Sequence, residues 1–284
     1  MHVELAEERI LLIADRFTMD HAEGRAWTKR TEAFGAMARL GGLLSKPKDE
    51  DYEVVYRERR LQPFWRIASH VNYTYERQRS YRIKVGPEVT GVATGGETYP
   101  VANGEFAISG LETCHEESRR DWLFDGFTKQ IAPTLSGYLG FEAQVVDIEA
   151  LNAQVAGGAI LVPSEARASM LTRDVLAQAI TRIEADKVLE ETVRLEAIDL
   201  YYRPVYAFRY RWQGKEAVVE FDAATGETRT GGATFEKHLG KLADPIFLLD
   251  IGAEAANMFI PGVNLAKIAV VKGMQMHGRL TAPK

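Results

Sequence analysis

The sequence predicts an α+β fold: two antiparallel β-units that read as an internal duplication, each preceded by a helix, with an N-terminal helical pair and a C-terminal helical tail. Three observations carry this expectation. Two aromatic-rich stretches, "LQPFWRIASHVNYTY" (61–75) and "YYRPVYAFRYRW" (201–212), alternate apolar and polar residues with the period of two of a half-buried strand. Apolar residues recur at helical spacing near the N-terminus and again before the second stretch. Glycine pairs and an Asn-Gly dipeptide punctuate the remainder as turns do.

The chain divides on this reading into an N-terminal helical segment (1–46), a first β-rich unit (50–160), a helix with a second β-rich unit (161–235) and the tail (236–284). From Val3 to Phe17, the residues Val3, Ala6, Ile10, Ile13 and Phe17 fall at helical spacing with acidic residues early, which predicts an amphipathic helix. A second helix over Trp27–Leu40 carries Trp27, Phe34, Met37 and Ala38 on one side and stops at Gly41-Gly42. "SKPKDED" (45–51) then reads as an exposed linker.

In the first aromatic stretch Leu61, Trp65, Ile67, Val71, Tyr73 and Tyr75 alternate with Gln62, Arg66, His70, Asn72 and Thr74; Phe64 and Ala68 are exceptions on the polar face. Asn103-Gly104 reads as a type I′ hairpin turn. "CHEESRRDWLFDGF" (114–127) looks helical, and "GYLGFEAQVVDIEAL" (137–151) supplies a strand and a turn. Gly157-Gly158 and "AILVP" lead to a helix over Ser164–Ile183, striped by Ala168, Leu171, Val175, Leu176, Ala179 and Ile183. In the second aromatic stretch Leu200, Tyr202, Tyr206, Phe208, Tyr210 and Trp212 share one parity, and Arg203, Arg209 and Arg211 the other.

Aligning Pro63 with Pro204 puts Trp65 on Tyr206 and Ile67 on Phe208. Each copy then turns, at "ERQR" or "QGK", and returns toward a glycine pair, which is the basis for a duplication; the rival account is two unrelated aromatic strands. Proline has no N–H to give to a ladder, so each should lie on an edge strand, at a bulge or at a strand start, marking interrupted pairing. The order helix, strand, turn, strand, followed by "VVEFDAATGE" (218–227), resembles that of PepSY-type modules, and Val219, Asp222, Ala223, Thr225, Gly226 and Glu227 are similar to their Val-x-x-Asp-Ala-x-Thr-Gly-Glu signature. The resemblance covers roughly 60 of 284 residues. It implies a local fold and protein binding, with nothing catalytic; such modules are usually exported or membrane-linked and associated with peptidase inhibition.

Composition narrows the function classes. A chain of 284 residues with 46% hydrophobic content builds a packed core, so a disordered chain is excluded. Its 35 basic and 40 acidic residues give a net charge of −5, against a wholly basic nucleic-acid binder, so any basic patch is local. The single cysteine, Cys114, forms no intrachain disulfide, and "MHVELAEERILLIADRF" does not read as an export leader, which together favour the cytoplasm. The most apolar stretch, 245–271, is broken by Asp250, Glu254, Lys267 and Pro261, so no transmembrane span is expected.

No phosphate loop, dinucleotide fingerprint, nucleophile elbow or paired-cysteine spacing occurs. The densest reactive cluster is Cys114, His115, Glu116 and Glu117, whose side chains on a helix would point about 100° apart and not converge. The six histidines are scattered, Pro47 spoils a Ser45–Lys48 acyl-transfer spacing, and Asp121 with Asp125 is a commonplace surface pair. No catalytic residue, metal site or cofactor is expected. Charge is the stronger signal: from 57 to 84, Arg57, Arg59, Arg60, Arg66, Arg77, Arg79, Arg82 and Lys84 stand against Glu58 and Glu76, an excess of six, interleaved with Phe64, Trp65, Tyr73, Tyr75 and Tyr81. The expected function is a non-enzymatic protein-binding or assembly module acting through these Arg-rich strands and the apolar tail. Its partners are another protein or a second copy, with peripheral membrane contact through the tail. The alternatives are a nucleic-acid-binding module using 57–84 and an enzyme centred near Cys114–Glu117.

Overall fold

The computed structural model describes residues 1–35 and 48–231 and the backbone of 268–270. In chain order the elements are β1 (His2–Leu5), β2 (Glu8–Ile13), α1 (Met19–Ala33), β3 (Glu53–Lys84), β4 (Gly91–Thr94), β5 (Glu97–Pro100) and β6 (Glu105–Asp125). After a 3-10 segment at Pro133–Gly140 come β7 (Ala143–Val146), α2 (Ile148–Ala156), β8 (Ala159–Leu161), α3 (Ala168–Ala179), β9 (Lys187–Trp212), β10 (Lys215–Asp222), β11 (Thr228–Thr230) and β12 (Ile268–Val270). Strand makes up 53% of the described residues and helix 21%, and ten of the twelve strands share one mixed sheet. The expected α+β arrangement of duplicated units with a helical pair is therefore overturned.

The register of the two aromatic stretches is what overturns it. They are not copies that each fold back on themselves: β3 and β9 pair antiparallel with each other, Leu61 opposite Pro204 and Pro63 opposite Tyr202, and form the spine of the sheet. The turn expected at "ERQR" does not form, and β3 continues to Lys84 as a strand of 32 residues. The other expected turn does form, with Gln213 and Gly214 at φ 50° and 73°. Glu76–Arg79 contains no Gly, Asn, Asp or Pro to favour reversal, whereas Gly214 takes the left-handed conformation without strain.

Both spinal strands are longer than any other strand they pair with, so their outer edges are served in relay. One edge of β9 pairs with β1 over Thr192–Leu195, with β2 over Ile198–Tyr202 and with β10 over Val205–Trp212. The outer edge of β3 pairs with β8 at Arg59–Leu61 and with β6 from Phe64 onward. Pro204 falls at the change from β2 to β10 and Pro63 at the change from β8 to β6, where a missing N–H costs the ladder least. The expected placement on an edge strand, at a bulge or at a strand start does not hold, since both prolines lie mid-strand and the β3–β9 ladder runs through them; pairing is interrupted only along the other edge of each strand. The proline carbonyls remain in use, accepting from Gly126 N (3.2 Å) and Ala223 N (3.0 Å). At the third changeover, from β1 to β2, Glu196 is the extra residue of a bulge.

The large rings point inward. Trp65, Val71, Tyr73 and Tyr75 of β3 and Leu200, Tyr202, Tyr206, Phe208 and Tyr210 of β9 are buried. Leu171, Val175 and Leu176 of α3 join one cluster on that face, and Ala22 and Ala26 of α1 join another around Phe208, Tyr210 and Phe221. Small residues on α1 let the helix approach the rings closely.

Further corrections share a cause, the open hydrogen-bonding edges that the spine offers. The helix expected over Val3–Phe17 is replaced by β1 and β2, both parallel to β9; Val3, Ile10 and Ile13 are β-branched, and apolar runs this short satisfy either period. The segment 114–127 expected to be helical is strand up to Asp125 because β6 runs along β3 from Phe64 opposite Asp125 to Lys84 opposite Glu105. The helix expected from Trp27 begins at Met19, capped by Thr18, whose Oγ1 accepts from His21 N (3.3 Å), and it ends at Ala33; residues 36–47, including Gly41-Gly42, lie outside the described residues. Within the expected linker, Asp49–Asp51 forms a 3-10 turn. The expected strand and turn at 137–151 become β7 followed by α2, capped by Asp147, and α3 is shorter than Ser164–Ile183 at both ends. The Asn103-Gly104 turn forms as expected, with φ 52° and 72°. The expected helical tail lies outside the described residues except at Ile268–Val270, which pairs with β1 as a strand.

Candidate interaction surface

Beyond Glu76 opposite Lys187, β9 ends, and among the described residues β3 and β6 continue paired only with each other, from Arg77 opposite Glu112 to Lys84 opposite Glu105. At ~3.3 Å per residue these rungs make an arm of roughly 25 Å, closed at its tip by the β4–β5 hairpin. The alternation of the spine carries on along it. Arg77, Arg79, Tyr81 and Ile83 share a face with Glu112, Gly110, Ile108 and Phe106, which continues the core face of Trp65 and Tyr75; Gln78, Ser80, Arg82 and Lys84 occupy the other. Among the described residues no helix covers the continuation, and Tyr81 (45%) and Ile83 (42%) are exposed, as is Leu111 (61%) on the reverse face. Gly110 makes room for Tyr81: a Cβ there would lie 3.3 Å from the ring.

Charges fix the root of the arm. Arg77 Nε donates to Glu112 (2.6 Å) and the Tyr81 hydroxyl donates to the same carboxylate, which together hold Glu112 below the usual carboxylate range. The Tyr75 hydroxyl donates to Glu116 (2.5 Å), and that bond, reinforced by burial, pushes the phenol up to about 12.

The eight basic residues of the sequence do not form one patch. Arg57, Arg59, Arg77 and Arg79 lie on one face of β3 and Arg60, Arg66, Arg82 and Lys84 on the other. Six are matched by carboxylates, and for all but Arg60 these come wholly from outside 57–84: Arg57 by Glu23 (2.7 Å), Arg59 by Asp15, Arg77 by Glu112 (2.6 Å) and Arg79 by Glu184 (3.6 Å). Arg60, almost fully buried, meets Glu58 (2.9 Å) and Glu220 (3.1 Å), and burial raises the Glu220 carboxyl. Arg66 meets Asp121 (2.7 Å) and Asp199 (3.4 Å). Arg82 and Lys84, both exposed on the arm, have no ion pair among the described residues.

The strand conformation also separates the reactive cluster. Cys114 and Glu116 share the face of Tyr75, with the thiol 3.9 Å from Glu112, while His115 and Glu117 share the opposite face, His115 against Thr74 (3.4 Å) and Glu117 against His70 (2.8 Å). Among the described residues no group of three or more His, Cys, Asp or Glu side chains is placed to hold a metal ion. Asp121 pairs with Arg66, and Asp125 caps its own turn by accepting from Phe127 N (2.9 Å) and Thr128 N (2.7 Å). Of the Ser45–Lys48 stretch only Lys48 lies within the described residues.

Two buried polar networks on the face opposite the rings went unseen in the sequence. Asp199, fully buried, accepts from Arg9 Nε (2.7 Å) and Nη2 (2.8 Å) and from Arg66. Asp222 takes the Tyr138 hydroxyl and Arg203 Nη1 (3.3 Å), and burial pushes the Tyr138 phenol up to about 12. The second carboxyl oxygen of Asp222 accepts from Ala224 N (3.0 Å) and Thr225 N (2.9 Å), so the "DAATGE" turn is tied to the sheet by its first residue. The first network joins β2, β3 and β9, and the second ties the 3-10 segment at Pro133–Gly140 to the β9–β10 hairpin; neither shows a local spacing that could reveal it. The carboxylates of both networks have hydrogen-bond partners on each oxygen, as buried polar groups require.

Comparison of the chain with protein-family models, with curated proteins and with solved structures finds no match. No helix among the described residues is long and apolar enough to cross a membrane.

Proposed function

We propose that this chain is a non-enzymatic binding or assembly protein whose contact element is the β3–β6 arm. The observation that carries the reading is the continuation of the core's aromatic face beyond the last helix and strand that cover it, leaving Tyr81 and Ile83 exposed on a projecting hairpin. Exposed apolar side chains gathered on one element, and bordered by unpaired cations, are characteristic of contact surfaces. The order α3, β9, turn, β10 followed by Asp222-Ala223-Ala224-Thr225-Gly226-Glu227 is that of the PepSY-type modules which the sequence resembles, and supports a protein-binding role.

The test is to join Arg79 to Gly110, which already face each other, through an Asn-Gly turn that removes 80–109. The shortened protein should keep the circular dichroism and unfolding midpoint of the body and lose the proteins that the full chain captures from native extract. Capture of the same proteins by both forms would overturn the reading.

A further inference from the structure

Resting on the arm as contact element, we infer that the free edge of β3 at Arg77–Lys84 binds an extended acidic peptide by strand addition. The chain's own acidic segment 184–186 already occupies the first rung of that edge. Asp186 N donates to Glu76 O (2.9 Å), the Asp186 carboxylate accepts from Gln78 N, and the Glu184 carboxylate lies 3.6 Å from the Arg79 guanidinium.

These bonds fix which residues face outward. Glu76 and Gln78 turn their backbone polar groups to the free edge, whereas Val85 N donates the other way, to Gly104 O (2.9 Å). Along an extended strand this alternation makes Ser80, Arg82 and Lys84 present N–H and C=O outward, and no strand pairs with that edge among the described residues. The edge carries four cations, Arg77, Arg79, Arg82 and Lys84, no carboxylate and no proline. Of these, Arg82 and Lys84 lie past the last rung occupied by 184–186.

An acidic strand meets every feature of this edge at once. Its backbone pairs with Ser80 and Arg82, its carboxylates neutralise Arg82 and Lys84, and its alternate side chains lie beside Tyr81 and Ile83. A nucleic acid would satisfy the cations alone and leave the outward N–H and C=O groups without strand-spaced partners. The outer edge of β6 is protected differently, since His115, Glu116, Glu117, Arg119, Arg120 and Asp121 place both signs of charge along it.

The probe is a fluorescein-labelled peptide of about ten residues, the length of a long strand, alternating glutamate with valine or threonine and titrated with the full chain by anisotropy. Its glutamine counterpart and a single-stranded oligonucleotide of equal length are the comparisons. The acidic peptide should bind, and Arg82→Glu with Lys84→Glu should weaken it by at least about tenfold. Ser80→Pro, which removes one outward N–H while keeping every charge, should weaken it by a similar factor with the unfolding midpoint unchanged. Failure of the peptide to bind, undiminished binding by Ser80→Pro, or equal affinity for the oligonucleotide would each overturn the inference. None of these results bears on whether removal of 80–109 abolishes partner capture, so the two readings fail separately.

Discussion

Replacing Asp199 by asparagine tests whether the buried network under the sheet stabilises the fold. The carboxylate is fully buried and accepts two bonds from Arg9 (2.7 and 2.8 Å) and a longer one from Arg66 (3.4 Å). Asparagine keeps the volume and one acceptor but turns an NH₂ group toward guanidinium donors, so one Arg9 bond and the Arg66 bond are lost. Charge-assisted bonds contribute about 1.5–3 kcal/mol each. Arg9 is 47% exposed and recovers hydration, and Arg66 keeps Asp121 (2.7 Å), which moves the sum to its lower end. The expected loss is about 3 kcal/mol, a large part of the ~5–15 kcal/mol stability of a typical domain. Urea unfolding followed by circular dichroism should show a lower midpoint at unchanged slope. In an Arg9→Met background the same substitution should cost about 1 kcal/mol less, because the pair is already broken. A loss below about 1 kcal/mol in the otherwise native chain would show that Asp199 and its arginines only break even against their desolvation, and would refute the reasoning.

Two further outcomes follow from the geometry. Gly126→Ala should destabilise the protein by about 1–3 kcal/mol in the same assay, because a Cβ at Gly126 would lie 2.7 Å from the Pro63 carbonyl oxygen where β3 changes neighbours. Tyr138, Tyr206 and Tyr210 are each pushed up to about 12, chiefly by burial, so an ultraviolet titration should find them neutral at pH values where a free phenol of pKa 10.0 has ionised. Their folded values lie above the unfolded one, so the stability they contribute is whole below pH ~10 and should fall as pH rises from there toward 12.

Much of the local structure was legible in residues whose chemistry leaves little choice. The two aromatic stretches read as strands with rings inward, and Trp65 and Tyr206 are indeed buried. Asn103-Gly104 and Gln213-Gly214 turn as written. What could not be read was which strand lies beside which. Pro63 and Pro204 align equally well as equivalent positions in two copies and as interruptions in two antiparallel partners; only the register, Pro63 opposite Tyr202, separates these. Val3–Phe17 and 114–127 failed for a related reason. Short amphipathic runs fit either period, and the edges of β9 and β3 settled the matter by offering backbone partners along most of their length.

The candidate site divides in the same way. Arg77, Arg79, Arg82 and Lys84 stand out by charge in the sequence alone, but Arg57, Arg59, Arg60 and Arg66 carry the same signal and are neutralised by Glu23, Asp15, Glu220 and Asp199. The sequence by itself determined the strand character of both spinal segments, the burial of their rings and a break in pairing along one edge at each proline, because side-chain alternation and a missing N–H act over a few residues. Tertiary structure alone decided that the two strands pair with each other, that β3 outruns β9 to make an arm, and that most of the arginines are neutralised. Those outcomes depend on which backbone edges and carboxylates come together from distant parts of the chain, and no local pattern encodes that.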